Sequence, residues 1–382
     1  MAATRARCLA AMLAGIVALA LPAPGRSQSE PPPPPPVAEA PTTVADPPAA
    51  ADPPAVVAPP AAAAPPAVVV PPAPAALPNA PPTPAIAPAA DLLPGGVHVG
   101  IADQKFDMFG DERFAALGIR HARLAIAWDA MRYDWQVDQL DAWLAGAKAL
   151  GIQPLISFGH SRTNRRSVPT PTRMRLELRK LRKRYPWVKT YATWNEANHC
   201  GEPLCHRAPL AASYYRALRR ECPSCRILAP EILDTPNAVA WVTQFRRKLG
   251  YTPKLWGVHN YLEANRFKMS RLRRLLKAMP GADVWLTETG GLVRRDNGST
   301  TDIPEGARHA AEVTRYLFDH VLALNPRVKA VYLYHWNAGP AETTWDSGLI
   351  TPAGNERASL SVLRRVLHSG LRPRASYRSP GR

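Results

Sequence analysis

From residue 97 onward, short apolar runs alternate with longer stretches in which apolar residues recur every three to four positions. Runs of β-branched and aromatic residues favour strands, whereas the longer spacing predicts amphipathic helices. Eight strands are predicted, at 97–101, 121–127, 153–158, 188–194, 226–229, 255–259, 283–287 and 328–334. The helices that follow them are predicted at 111–117, 137–150, 171–185, 209–220, 237–249, 269–279, 305–324 and 355–368.

Eight βα repeats within about 275 residues predict an α/β fold of the (β/α)8 TIM-barrel type. A doubly wound parallel sheet would show the same alternation. The barrel is favoured because no glycine-rich phosphate loop follows any predicted strand. In addition, polar and aromatic residues follow nearly every strand, as a ring-shaped site requires.

The chain before the barrel has a different composition. Residues 1–27 combine a basic start, an apolar run and small residues, which predicts a secretory signal peptide, with an uncleaved membrane anchor as the alternative. Residues 28–94 are almost entirely Pro, Ala and Val, which predicts a disordered, extended linker. We therefore expect a barrel domain at 95–371, a disordered basic tail at 372–382, and a secreted or cell-wall-associated bacterial protein.

The chain is strongly basic, with a net charge of +18, and nearly all of that charge belongs to the barrel. One interpretation is adhesion to an anionic cell-wall polymer. The interpretation we favour is a solvated outer surface, because the Arg and Lys residues fall in helical stretches at 173–184, 216–220 and 266–277. These stretches lack the interleaved aromatic residues of a nucleic-acid platform. We expect a carbohydrate ligand, no nucleic acid, no stable membrane insertion once the signal is cleaved, and a monomer.

Four cysteines follow the predicted signal peptide, and an even number in an exported protein predicts disulfides. Cys200 and Cys205 come directly after the fourth strand, and Cys222 and Cys225 follow the next helix. A helix of about 12 residues spans roughly 18 Å, too far for pairing between the two groups. The expected bridges are therefore Cys200–Cys205 and Cys222–Cys225. A redox function for the second pair is disfavoured because no thioredoxin-like βαβ unit surrounds it.

Two carboxylates stand out at predicted strand ends. Glu196 follows the fourth strand within the stretch 190–198, and Glu288 follows the seventh. In an α/β barrel the carboxyl ends of the strands carry the chemistry. A pair of facing carboxylates is what the cleavage of a glycosidic bond requires.

This constellation resembles clan A of the glycoside hydrolases, which are retaining (β/α)8-barrel enzymes with catalytic glutamates on strands four and seven. The resemblance covers residues 97–367 and is closest to the β-xylosidase-like and endoglucanase-like families. It rests on Trp194-Asn195-Glu196, Glu288, His259-Asn260-Tyr261, Arg123 and Trp336. Two departures weaken any transfer of substrate preference: Ala197 stands where many relatives have proline, and the next loop carries the Cys200–Cys205 pair.

The resemblance implies a double displacement in which Glu196 is the acid/base and Glu288 the nucleophile. Asn195 would hydrogen-bond the sugar 2-hydroxyl. Arg123 and Tyr261 would keep Glu288 ionised and oriented, because an adjacent cation and a donor both favour the charged form. Repulsion between the two carboxylates would then raise the pKa of Glu196 and keep it protonated.

The same resemblance implies three further substrate-binding residues. His160 and His259 would contact the sugar or adjust Glu196, although His160 serves equally well as a hydrogen-bonding residue of the rim. Trp336 would form the floor under the sugar.

The alternative function is a barrel that binds cell-wall carbohydrate without cleaving it. The presence of both Glu196 and Glu288 favours the enzyme. A redox or metal enzyme is disfavoured because the sequence shows no convincing ligand cluster, so we expect no cofactor and no metal.

Overall fold

A computed structural model describes Leu93 and residues 96–296, 302–340 and 344–373 of the chain. The predicted signal peptide at 1–27 lies outside these residues, as do the linker at 28–94 apart from Leu93 and the tail beyond residue 373. Leu93 is buried, and its N–H donates to the carbonyl of Val97 at 2.9 Å. Within the described ranges, no helix combines the length and the apolar character needed to cross a bilayer.

Eight parallel strands close into a barrel, which confirms the predicted fold. The first and last strands complete the ring, with Gly100 in register with Tyr332. The barrel strands are β1 His98–Ala102, β2 His121–Ala127, β3 Gln153–Gly159, β4 Thr190–Ala192, β5 Arg226–Leu233, β6 Leu255–His259, β7 Asp283–Thr289 and β8 Val328–Tyr334.

A helix follows each strand, with bounds near those predicted. The helices are α1 Glu112–Ala115, α2 Asp134–Ala149, α3 Pro171–Arg184, α4 Ala208–Glu221, α5 Ala238–Leu249, α6 Tyr261–Ala264, α7 Ser270–Ala278, α8 Ala307–Tyr316 and α9 Ala358–Ser369. The four-residue α6 was not predicted, because one helical turn is too short to show a periodic pattern. The helix predicted at 305–324 is α-helical only to Tyr316 and continues as a π-helical segment, Leu317–Leu322.

Local signals in the sequence explain several helix ends. Pro171 opens α3, and the hydroxyl of Thr170 caps it by accepting the N–H of Arg173 at 3.1 Å. Gly250 ends α5 with a φ of 84°, a left-handed conformation that glycine adopts without a steric cost.

Two separate clusters of buried side chains form the core. The larger one lies between the strands and the surrounding helices and includes Trp143 and Trp256. The smaller one fills the inside of the barrel; its buried members are Ala102, Leu155, Ala192, Leu228, Trp285, Ala330 and Tyr332. The interior is therefore a packed core, as in other barrels of this type, and the site lies at one end of it.

Polar groups replace the apolar ones at the carboxyl end of the barrel interior. Arg123 on β2 and Glu231 on β5 are both fully buried. Gly257 on β6 makes room for them, because a Cβ atom at this position would lie 2.5 Å from Cγ of Glu231. A side chain at position 257 would overlap Glu231. The absence of one on β6 therefore leaves room for the Glu231 side chain.

Loops after β7 and β8 are joined at the rim by a short antiparallel ribbon. Its two strands are Arg294–Arg295 and Trp345–Asp346. The ribbon fixes Trp345 at the carboxyl end of the barrel, where the site lies.

Both predicted disulfides are confirmed. Cys200 is bonded to Cys205 with a Cα–Cα distance of 4.8 Å, and Cys222 to Cys225 with 5.2 Å. Helix α4 separates the two bridges, so each closes a local loop at one end of that helix.

Candidate active site

Glu196 and Glu288 meet at the carboxyl end of the barrel. One carboxylate oxygen of each, together with a ring nitrogen of His259, lies within 4.8 Å of the others. The side chain of Glu196 is 21% exposed and that of Glu288 is 15% exposed. Both line a cleft of about 580 Å³, so a ligand in the cleft can reach them.

The backbone of Glu196 is held in an unusual conformation, with a φ of 43°. A left-handed residue other than glycine costs roughly 1–3 kcal/mol and persists only where its surroundings fix it. Here the N–H of Asn195 donates to the carbonyl of Phe158 at 2.6 Å, and the N–H of Ala197 donates to the carbonyl of Glu231 at 3.0 Å. These bonds on either side fix the turn that points Glu196 into the cleft.

Glu288 receives a hydrogen bond at each carboxylate oxygen. Arg123 donates from Nη1 to Oε2 at 2.8 Å, and the hydroxyl of Tyr261 donates to Oε1 at 3.1 Å. The structure thus places both predicted partners on this carboxylate. A buried guanidinium is a strong stabiliser of an ionised neighbour, because little water screens the two charges.

A second carboxylate, that of Glu231, holds the guanidinium of Arg123 in place. Arg123 donates to Glu231 from Nε at 2.8 Å and from Nη2 at 2.6 Å, and Ser157 donates to the same carboxylate at 3.0 Å. Burial raises the pKa of Glu231, but the charge of Arg123 outweighs it and holds that pKa well below its usual range. Glu231 is therefore a fixed anion beneath the site rather than a ligand-binding residue.

Arg123 also orients Asn195. Its Nη2 donates to Oδ1 of Asn195 at 2.6 Å. Because a guanidinium can only donate, this contact fixes which end of the Asn195 amide is the oxygen. The amide Nδ2 is then the end that remains for a ligand.

His259 is fully buried beside the acid/base candidate. Its Nδ1 lies 3.0 Å from Oε1 of Glu196, and its Nε2 lies 3.9 Å from Oε1 of Glu231. Burial lowers the pKa of His259, but the charge of Glu288 and the contacts with Glu196 and Glu231 raise it to about 9. The imidazole is therefore protonated at neutral pH.

This arrangement corrects the expectation that Glu196 is protonated through repulsion from Glu288. Burial does raise the pKa of Glu196, but the hydrogen bond and charge of His259, with the charges of His199 and Arg123, outweigh it. The net effect is a lowered pKa. The proton expected on Glu196 resides on its neighbour, so Glu196 and His259 act as a pair that holds one proton.

His160 lies at the rim but does not contact Glu196 within the described residues. Its Nδ1 lies 2.6 Å from Oε1 of Glu202, and Oε2 of the same carboxylate accepts the indole N–H of Trp194 at 2.9 Å. Glu202 sits inside the loop that Cys200–Cys205 closes. The role that these contacts support for His160 is to position this loop against the strand end that carries Glu196.

Trp336 is not the floor of the cleft, which corrects the expectation drawn from the family. Its side chain is 0% exposed, its Nε1 donates to Asp111 at 3.0 Å, and its ring packs edge-to-face on Phe114. The indole turns away because Asp111, the N-cap of α1, accepts its N–H, and Phe114 within α1 covers its apolar surface. Trp345 lines the cleft instead, packed edge-on against Tyr261 with ring centroids 4.9 Å apart.

Several cleft residues were missed from the sequence. Asp234 directly follows β5, and β5 ends four residues later than predicted. The side chain of Asp234 is 2% exposed, and burial raises the pKa of its carboxyl group to about 7. Arg266, Arg271 and Arg295 also line the cleft. Arg266 and Arg271 belong to the stretch 266–277, which is predicted to be a solvent-exposed helical surface. The spacing of its residues does not show which arginines face the site.

Among the residues that the structure describes, two groups of side chains bring metal-ligating atoms together. Glu196, Glu288 and His259 form the first, and the positive charge of Arg123 at 2.8 Å from Glu288 opposes the binding of a cation there. The second comprises Cys200, Cys205 and His206, but both sulfurs are bonded to each other. Neither donor set favours a resident metal.

No protein family model matches this chain, and no curated protein matches its sequence. Solved structures do match in fold. A GH5_18 protein from Streptomyces cattleya, solved in complex with GlcNAc, has a TM-score of 0.53 and 18% identity, covering 73% of this chain and 82% of that one. Xylanase 10B from Thermotoga maritima has a TM-score of 0.51 and 12% identity, covering 72% and 95%. A glucosidase from Croceicoccus marinus has a TM-score of 0.53 and 11% identity, covering 72% and 67%. At these identities the likeness shows a shared barrel fold.

Proposed function

We propose that this protein is a retaining glycoside hydrolase of the clan A type, which cleaves β-linked O-glycosidic bonds by double displacement. The observation that carries the proposal is the approach of the Glu196 and Glu288 oxygens to within 4.8 Å. Retaining enzymes hold their two carboxyl groups about 5–5.5 Å apart, whereas inverting enzymes need roughly 6.5–9.5 Å to admit a water. The names of the structural neighbours, a xylanase and a glucosidase among them, support the same class of reaction.

In the first step, an oxygen of Glu288 bonds to the anomeric carbon as the bond from that carbon to the leaving oxygen breaks. The leaving oxygen takes a proton from Glu196. The hydrogen bonds from Arg123 and Tyr261 keep Glu288 aimed at the carbon. The reactive form is the one in which the proton shared by Glu196 and His259 resides on Glu196.

In the second step, Glu196 takes a proton from water as the water oxygen bonds to the anomeric carbon and the bond to Glu288 breaks. Glu288 carries no charge while it is bonded to the sugar. Since that charge is what raises the pKa of His259 most, the proton affinity of the pair falls between the two steps. Water attack then restores the charge on Glu288 and the proton on the pair.

Two further contacts are proposed for the sugar. Nδ2 of Asn195 would donate to the 2-hydroxyl, because Oδ1 is already held by Arg123. Trp345 and Tyr334 supply aromatic surface in the cleft on which an apolar sugar face can pack.

A barrel that only binds carbohydrate is less well supported. Arg123 and Glu231 are fully buried, and burying charges costs several kcal/mol unless they are paired. Binding of a neutral sugar needs no such ion pair, whereas a nucleophile that must stay ionised does. The disulfides further support an exported protein, because such bonds persist in oxidising compartments. Adhesion of the outer basic surface to an anionic cell-wall polymer, and a monomeric state, stay predictions.

The stereochemistry of the product, followed by NMR on the wild-type protein with an aryl β-glycoside, tests the mechanism. We expect net retention. Glu288→Ala should lower turnover by at least about 10⁴-fold, with partial rescue by azide and an inverted glycosyl azide as product. Glu196→Ala should slow poor leaving groups far more than activated ones, because only the former need a proton.

The control is Glu356→Ala, which removes an exposed carboxylate paired with Arg364 away from the cleft. This variant should keep wild-type turnover. Net inversion by the wild-type protein would exclude Glu288 as a nucleophile, and hydrolysis by Glu288→Ala at the wild-type rate would exclude this site altogether.

A further inference from the structure

The cleft that holds the two catalytic carboxylates has a basic wall. Three arginines line it on the side of β6 and β7: Arg266 after α6, Arg271 in the first turn of α7, and Arg295 in the ribbon at the rim. They share the cleft with Glu196 and Glu288, so a ligand bound for catalysis lies beside them.

Several arginines on the outer surface are paired with acidic side chains. Arg179 donates to Glu221 at 2.8 Å through two nitrogens, and Arg364 lies 2.5 Å from Glu356. Such exposed pairs need no ligand to explain them.

Arg266 and Arg271 differ from these pairs because they line the cleft, unlike outer arginines such as Arg216 that also donate to backbone carbonyls. Across the parts of the chain that the structure describes, neither has a carboxylate within 4.0 Å in an ion pair. Arg266 instead donates to the backbone carbonyl of Asp302, and Arg271 to that of Asp234. A guanidinium carries five N–H donors in a planar fork, so one carbonyl bond positions it and leaves the fork able to grip an anion.

Arg295 is paired with Glu305 at 3.7 Å, but in the described parts of the chain the acidic side chains of the cleft form no ion pair with Arg266 or Arg271. Glu288 is engaged by Arg123 and Tyr261, and Glu196 by His259. Asp234 is 2% exposed, its Oδ2 accepts the N–H of Glu263 at 2.8 Å, and burial raises its pKa to about 7. The positive charge of Arg266 and Arg271 is therefore directed at the cleft.

We propose that the substrate is an anionic glycan, and that Arg266 and Arg271 bind a carboxylate, sulfate or phosphate group of it within the cleft. The inference rests on the proposed function, since it names the substrate class of the same site. Planar, two-point binding of an anion is what arginine does better than lysine. The two residues thus act as specificity determinants and take no part in the chemical steps.

The test compares matched substrates on the wild-type protein. A β-linked polysaccharide that contains uronic acid is assayed before and after its carboxylates are reduced to alcohols, alongside sulfated and phosphorylated β-glucans with their unmodified parent. We expect kcat/KM at least tenfold higher for one acidic form than for its neutral match. Added salt should lower only the acidic rate, because salt screens the arginine–anion attraction.

Variants then assign the preference to these residues. Arg266→Gln and Arg271→Gln should each lower kcat/KM on the acidic substrate about tenfold, the scale of one charge-assisted hydrogen bond, and change the neutral rate less than twofold. Arg271→Lys, which keeps the charge, should restore part of the loss. The matched control is Arg273→Gln, on an exposed position of the same helix that does not line the cleft.

The outcomes separate this inference from the proposed function. Cleavage of the neutral forms at equal or higher rates than the acidic forms overturns the inference and leaves the glycosidase intact. Equal losses on acidic and neutral substrates in the two Gln variants overturn it as well. Cleavage of none of these polymers, nor of any aryl β-glycoside, removes the proposed function and the inference together.

Discussion

The most informative perturbation of the site is His259→Gln, because it removes the imidazole that shares a proton with Glu196. Glutamine is neutral and still offers an N–H donor to the carboxylate, so the change acts mainly on charge. In the wild-type protein the pKa of His259 is raised to about 9. The pair therefore keeps its proton up to about pH 9, and the alkaline limb of kcat/KM should fall there.

The size of the effect follows from what remains in the variant. Without His259, the proton belongs to Glu196 alone, whose unperturbed pKa is about 4.3 and which burial raises. The alkaline limb should therefore move to lower pH by at least about two units. A limb at about pH 7 or below leaves pH 8 at least one unit above it, so kcat/KM at pH 8 should fall at least about tenfold relative to the optimum of the variant.

The assay is the pH dependence of kcat/KM between pH 4 and 10 on a substrate with a poor leaving group. An activated aryl substrate serves as the internal reference, because its first step needs no proton. His160→Gln is the matched control, since His160 contacts Glu202 and not Glu196. An alkaline limb that stays near pH 9 in His259→Gln, or that moves equally in His160→Gln, would refute the shared proton.

Three other predictions concern stability. The folded protein keeps a proton on Asp234 up to about pH 7, whereas the unfolded chain releases it near pH 4, so stability falls as the pH rises between these values. Asp234→Asn should therefore raise Tm at pH 8 by several degrees and leave it nearly unchanged at pH 4; equal shifts at both would contradict this. Gly257→Ala should cost about 1–3 kcal/mol in denaturant unfolding through overlap with Glu231, and a neutral result would mean that β6 yields easily. Deletion of residues 28–92, which keeps the buried Leu93, should leave turnover unchanged and Tm within about 2 °C of the full chain, because a Pro/Ala coil buries almost nothing, and a larger loss of Tm would show that it packs on the barrel.

The barrel could be predicted because its signal is local and repeated. Each βα unit carries its own apolar strand and amphipathic helix, so eight independent patterns agree on one architecture. The predicted bounds of β2 at 121–127, β6 at 255–259 and β8 at 328–334 are those observed. The two glutamates could be found for the same reason, since each comes at the end of such a strand.

The details of the site depend on side-chain directions that the sequence does not carry. Trp336 and Trp345 are both tryptophans near the end of β8, and only the ribbon and the contact with Asp111 decide which of them faces the cleft. The protonation of Glu196 depends on His259, a residue 63 positions away that meets it across the barrel. Such contacts arise from the closure of the ring and leave no periodic pattern.

The identity of residue 257 restricts which residue can occupy position 231 in related chains. Because a Cβ atom there would lie 2.5 Å from Cγ of Glu231, any side chain at 257 conflicts with the glutamate that holds Arg123. Among homologous chains we therefore expect glutamate at 231 only where glycine stands at 257, so the two positions should covary. Because the reverse order passes through an overpacked intermediate, we expect the glycine to precede the buried ion pair in such a lineage.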